Sequence, residues 1–206
     1  LKQLFGSRVT TFTLDPAQTR RRGISTDEVV NINYSEIEPE DIELLRETLN
    51  LSEVAGSSAY NLQHKFGQKD WLNQFLALRG SDINELAVET GVHPQALSTL
   101  HNRLRRLERY NFLDASPNSR ASEDTTDKII HHLERGNHVV LEFGDYGNDL
   151  TAYILVSNLL SRRIHERYVS QTDSAEGNRG KKPRPLVIVI EEAHKFLHPG
   201  VASQTI

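Results

Sequence analysis

The 206-residue chain has no cysteine and no methionine, and only one tryptophan. Without cysteine there are no disulfides and no thiolate metal sites. No apolar run approaches the roughly 18 residues that a membrane-spanning helix needs, and the opening residues carry no secretory pattern. No membrane partner is therefore expected, and the cytoplasm is the expected compartment. The formal net charge of -4 excludes a global basic field of the kind that announces a nucleic-acid partner, so that argument falls to local basic clusters. The composition itself, 37% hydrophobic and 25% charged, is that of a soluble globular chain with room for one large domain or two small ones. A chain that opens on Leu1 and lacks methionine is read as an internal excerpt of a longer protein, with methionines missing from the recorded sequence.

Hydrophobic patterning divides the chain. "SRVTTFTLDP" alternates β-branched residues and ends in a turn signal, which predicts a strand, and a short second strand is expected at Val29 to Ile32. Helical periodicity then takes over. Pro39 opens one helix, and three short helices follow with caps expected at Ser57, Asp70 and Asp82. Pro94 begins a long amphipathic helix with the stripe Leu97, Leu100, Leu104 and Leu107. Tyr60, Phe66, Trp71 and Phe75 interleave with leucine and are expected in the core of this block. "DTTDKIIHHLERG" is a helix closed by Gly136, "HVVLEFG" a strand, and "NDLTAYILVSNLLSRRIHERYV" a long helix capped by Asn148 or Asp149. The polar stretch "SQTDSAEGNRGKKPRP" reads as a loop, and "LVIVIEE" as the last strand. Strand, crossover helix and strand make a βαβ unit with parallel strands. The expected fold is α/β, with 1–37 and 122–206 in the sheet-bearing part and 38–121 a mostly helical block.

The stretch "PLVIVIEEAHKFLHPG" carries the chemistry. Leu186 to Ile190 is an uninterrupted apolar run suited to a strand covered on both faces. It ends in adjacent carboxylates, Glu191 and Glu192, at the carboxyl edge of a parallel sheet, where ligands bind in open α/β folds. A buried strand followed by an acid pair is the Walker B arrangement of P-loop NTPases. The first acid holds Mg²⁺ through its water shell, and the second orients or deprotonates the attacking water. The competing explanation is a helix whose first turn favours acids.

"VIVIEEAHKFL" closely resembles the Walker B segment of the HerA/FtsK superfamily, specifically the HerA-like DNA-translocating ATPases. The surrounding order is similar: an early strand with "LDP", then "NYSEIEPEDIELLRETLNL", a helical insertion, and "LERGNHVVLEFGDYG" with its long helix. The resemblance implies a partial parallel-sheet P-loop NTPase core, of RecA-like HerA/FtsK type, with a mostly helical insertion. It implies ATP and Mg²⁺ as cofactors, with Glu191 on the Mg²⁺ side, Glu192 as catalytic base, and His194 just beyond on the nucleotide side. It also implies a homohexameric ring that moves on double-stranded DNA, in DNA end processing with a NurA-type nuclease or in phage defence with a defence effector. No G-x-x-x-x-G-K-[ST] is present. The one Gly-Lys pair, Gly180-Lys181, is followed by Lys182 and lacks the upstream glycine. The excerpt alone is therefore expected to be inactive.

Other constellations compete. His194 and His198 share a helical spacing but lack the H-E-x-x-H order and run into Pro199-Gly200, which argues against zinc. His131 and His132 are adjacent and do not share a helix face. Asp145 and Asp149 follow a strand of the sheet, with helix capping as the expected role. "INELAVETGVHPQALSTLHNRLRRLERYNFLD" resembles a helix-turn-helix DNA binder, with Arg103, Arg105, Arg106 and Arg109 placed to meet phosphates. The alternative function is accordingly a non-catalytic DNA-binding regulator, and a third is an ATPase relative that only assembles.

Overall fold

The computed structural model describes residues 6–115, 124–176 and 182–191. Its centre is β1 (Val9–Thr13), flanked by β2 (Glu28–Val29) and β5 (His138–Glu142) in an all-parallel sheet of order β2-β1-β5. The β1–β5 register runs from Val9 opposite His138 to Thr13 opposite Glu142. Every residue of β1 is buried, as a central strand covered on both faces requires. Two of its three threonines satisfy their hydroxyls internally: Thr13 Oγ1 meets Thr19 Oγ1 at 2.7 Å, and Thr10 Oγ1 meets His132 Nδ1 at 3.1 Å.

The chain leaves β1 through α1 (Pro16–Arg21), which Asp15 caps by accepting the Gln18 N–H at 3.0 Å. The second strand expected at Val29 to Ile32 is split. β2 pairs with β1, whereas β3 (Ile32–Asn33) pairs in parallel with β4 (Leu113–Asp114) in a separate two-stranded sheet. Asn31, between them, is clasped by Thr125, whose hydroxyl accepts its N–H at 3.0 Å and donates to its carbonyl at 2.7 Å.

The helical block comprises α2 (Pro39–Leu44), α3 (Glu53–Phe66), α4 (Trp71–Ala77), α5 (Gly80–Thr90) and α6 (Pro94–Leu104). Pro39 and Pro94 occupy first turns as expected. The cap of α3 is Ser52 rather than Ser57, and Asp82 lies at the third position of α5, accepting the Arg79 N–H at 3.0 Å. Leu97, Leu100, Leu104 and Leu107 are fully buried, but α6 ends at Leu104 and a 3-10 turn spans Arg105–Arg109. The tightening follows from the apolar spacing. Leu104, Leu107 and Tyr110 recur every three residues and are all buried, which matches three residues per turn rather than 3.6. Trp71 and Phe75 are fully buried, and Trp71 Nε1 donates to the Ile37 carbonyl at 3.0 Å. Tyr60 instead lies 41% exposed.

α7 (Thr125–Glu134) is capped by Asp124 and closed by Gly136 in a left-handed conformation, φ 82°. α8 (Leu150–Glu176) is 27 residues long and capped by Asp149, which accepts the N–H groups of Thr151 and Ala152. It continues through 170–176, where polar composition predicted a loop. Those residues contain neither glycine nor proline, and polarity alone does not end a helix.

A single apolar cluster runs from Phe12 through the helical block to Ile164. Across it, two neighbouring arginines of α8 bind acids on other elements. Arg162 pairs with Glu38 and with Asp41, the latter at 2.8 Å. Arg163 pairs with Glu36 and Asp124. The Asp41 side chain is 0% exposed and also accepts from Asn158 at 2.9 Å. Burial raises its pKa, against the lowering effects of the Glu38 N–H, Arg162 and Asn158.

Arg162→Ala leaves Asp41 a buried carboxylate without its cation, and is expected to cost about 3–5 kcal/mol. Replacing both, Arg162→Met with Asp41→Leu, is expected to recover most of that loss in urea unfolding. A raised pKa in the folded state means that Asp41 favours folding at low pH and loses that contribution as pH rises through its folded pKa. The double variant is expected to remove this slope from a pH series of unfolding curves. Asp149→Ala removes the α8 cap and should cost about 1 kcal/mol or more.

Candidate functional site

Three chain segments meet at the carboxyl edge of the sheet. After β1 come Leu14 and Asp15. After β5 comes a 3-10 turn, Gly144–Asn148, leading to Asp149. Gly144 has φ 58°, and a Cβ built on it would lie 2.6 Å from Asp15 Cβ. Both its conformation and its contact demand glycine, so the turn after β5 is seated directly on the turn after β1.

The third segment carries the acid pair. Its start lies by Gly136, ahead of β5, where a built Cβ would come within 2.9 Å of Arg184 Nη1. Its end lies past β5, where the Glu191 carbonyl accepts the Tyr153 hydroxyl at 2.9 Å, and the Tyr153 ring sits 4.4 Å from that of Phe143. The segment thus leads from the Arg184 side chain, near the chain ahead of β5, to Glu191, near the chain past it, without forming the second strand of a βαβ unit.

The expected buried strand over Leu186 to Ile190 is nevertheless not formed. Residues 182–190 have no regular secondary structure, and Val187 and Val189 are 81% and 79% exposed, with Ile188 and Ile190 about half exposed. Five aliphatic residues are buried only when a strand has neighbours and layers on both faces. Among the described residues only Leu186 of this run packs against the core. Glu191 is exposed at the sheet edge. Glu192, His194 and His198 lie outside the described residues, as does the Gly180-Lys181 pair.

The arginine cluster is distributed over different tasks. Arg109 Nη2 binds Asp149 Oδ2 at 2.7 Å and Tyr110 Oη at 3.1 Å, and its guanidinium lies 5.1 Å from the centre of the Tyr110 ring. Arg105 faces Glu108 at 3.5 Å. Arg103 is half-buried and Arg106 exposed, and neither forms an ion pair among the described residues. α5, the turn at Gly91 (φ 67°) and α6 do form a helix hairpin. α6 packs on α3, α4 and α5 and leaves Gln95 and Asn102 exposed.

Asp149 is the most heavily used of the acids at this edge. Besides capping α8, it accepts the Tyr110 hydroxyl at 3.0 Å. Burial raises the Tyr110 pKa, with the Arg109 hydrogen bond acting against it, so the phenol stays a donor at neutral pH. Asp145 is exposed. Sequence reasoning missed Tyr110 and Tyr153. The available signal was spacing, since Tyr153 follows the capping Asp149 by one helical turn.

His132 bonds Thr10 and meets the Phe12 ring edge-on at 5.9 Å, which accounts for it as part of the packing between α7 and the sheet. No group of three or more His, Asp or Glu side chains able to hold a metal occurs among the described residues. The exposed Glu191 suits the water shell of a divalent cation. The phosphates of a nucleotide need a cradle of backbone N–H groups, and the sequence has no G-x-x-x-x-G-K-[ST] to provide one. Among the described residues the edge therefore offers the exposed carboxylate of Glu191 and no phosphate cradle.

The family model described as the central domain of helicase HerA matches residues 2–164. That span covers the sheet, the helical block and the first half of α8, and stops short of the acid pair. No curated protein and no solved structure matches the chain. No helix among the described residues is long and apolar enough to cross a membrane. The matched span, with its parallel sheet and largely helical remainder, shows that the chain belongs to the HerA helicase central-domain family, a family of ATPases with the P-loop NTPase fold.

Proposed function

We propose that this chain is the part of a HerA-type motor that supplies the water-activating side of an ATP site, in a protein that moves on double-stranded DNA. The observation that carries the reading is the course of residues 184–191. They end at Glu191, whose carbonyl accepts the Tyr153 hydroxyl beside Phe143 at the carboxyl edge of the sheet, where open α/β folds bind their ligands. Bound Mg-ATP supplies the phosphoryl group. On this reading Glu191 would hold the water shell of the cation, Glu192 would take the proton of the attacking water, and His194 would act on the nucleotide side. The glycine loop that holds the phosphates belongs to another part of the full-length protein, and residues 38–121 form an insertion in the ATPase core.

The further assignments follow the family resemblance: a homohexameric ring, double-stranded DNA as track, and a NurA-type nuclease in end processing or a defence effector as partner. Within the arginine cluster, Arg103 and Arg106 are the cations left for phosphates, because Arg105 and Arg109 face carboxylates. The α5–α6 hairpin and its exposed polar side chains favour a second reading, a DNA-binding regulator without turnover.

The full-length protein is expected to hydrolyse ATP in a Mg²⁺-dependent manner. Glu192→Gln should lower kcat by about 10²-fold or more while leaving nucleotide binding intact, as loss of a general base does. Wild-type-like turnover in this variant would end the ATPase assignment, and the chain of residues 1–206 alone should show no turnover. Arg103→Ala with Arg106→Ala should weaken duplex binding uniformly across sequences. It should also reduce the slope of log affinity against log salt by about two, one for each phosphate that an arginine no longer neutralises.

A further inference from the structure

A continuous set of hydrogen bonds joins the end of the helical block to the acid end of the 184–191 segment. It begins at Arg109, the last residue of the 3-10 turn, and at Tyr110 just past it. Tyr110 is buried and stacks on Phe112 at 5.3 Å, and Tyr146 meets both rings edge-on, at 5.8 Å and 5.0 Å. Both Arg109 and Tyr110 donate to Asp149, at 2.7 Å and 3.0 Å. Asp149 in turn holds the first N–H groups of α8. One turn further along the same face of α8 stands Tyr153, whose hydroxyl donates to the Glu191 carbonyl at 2.9 Å.

That last bond matters because of where it acts. Residues 182–190 enter no strand ladder, so the segment lacks the repeated backbone bonds that fix an ordinary strand. The Glu191 carbonyl lies in the planar peptide unit joining residues 191 and 192. A donor held at that oxygen restrains the backbone of Glu191. The donor itself is held, because the Tyr153 ring is buried against Phe143 at the end of β5.

We infer that Tyr153 is a positioning residue for the acid end of the 184–191 segment, and that Arg109 and Tyr110, acting through Asp149, hold the helix turn that carries it. The catalytic consequence rests on the ATPase reading above; the tether itself does not. In the full-length protein, Tyr153→Phe removes the donor and keeps the ring. It is expected to lower kcat for ATP about tenfold, in the range seen when groups that orient a site residue are removed, with KM for ATP within about twofold and an unchanged melting temperature. A nitroxide label at Val189→Cys, a 79% exposed position, should become more mobile in the Tyr153→Phe background, and Arg109→Ala with Tyr110→Phe should raise its mobility as well.

Unchanged mobility of the label at 189 in Tyr153→Phe overturns the tether. Greater mobility with wild-type kcat overturns the positioning role, as does a fall in kcat accompanied by a matching fall in melting temperature. If the wild-type full-length protein shows no ATPase activity, the functional reading fails on its own, and the mobility comparison still decides whether Tyr153 holds the segment.

Discussion

Arg162 and Arg163 stand side by side near the middle of α8, about 100° apart around its axis, and so face two different walls. One reaches Glu38 and Asp41 at the start of the helical block. The other reaches Glu36 and the α7 cap, Asp124. The apolar cluster that surrounds them is large but non-directional, and many slightly shifted packings would bury similar area. A fully buried carboxylate that requires one particular guanidinium allows far fewer. Asp41 fixes the setting of α8 against α2, and Asp124 fixes it against α7, so the long helix has one seat rather than a range.

The same division of labour recurs at the sheet. Burial drives β1 into the centre, yet hydrogen bonds set which neighbours it keeps. Residues 28–33 would read as one strand, but Val30 donates to the Thr13 carbonyl and Ile32 to the Phe112 carbonyl. Thr125 clasps Asn31 at the point of transfer. The chain changes sheets there, and β3–β4 is thereby attached to the main sheet through a few residues of backbone.

Much of this was legible because the signals are local. Pro39, Pro94, Gly136 and Asp149 each mark a helix end by steric or capping chemistry that depends on a few neighbouring residues, whereas the short helix that Asp15 caps lies in a stretch that reads as irregular. The β1 and β5 strands were equally readable from their patterning. What failed depended on partners distant in sequence. The switch to a 3-10 turn after Leu104 comes from what Leu107 and Tyr110 pack against. Tyr60 has the spacing of a core residue but faces outward. The Leu186–Ile190 run has the composition of an interior strand, and composition says nothing about whether neighbouring strands are there to cover it. At the candidate site, the resemblance pointed to Glu191. Tyr153 and Tyr110 were invisible because a tyrosine on a helix carries no motif.

α8 also has a mechanical meaning. At 1.5 Å per residue its 27 residues extend about 40 Å. Its first turn lies at the acid edge, and Arg162 and Arg163 form a bearing near its midpoint. A stiff rod seated at its centre and at its first turn transmits a load along its length rather than absorbing it locally. Glu176 and the carboxyl edge of the sheet, at opposite ends of that rod, are therefore not mechanically independent. Whatever leans on the far end of α8 is felt at the turn that carries Asp149 and Tyr153.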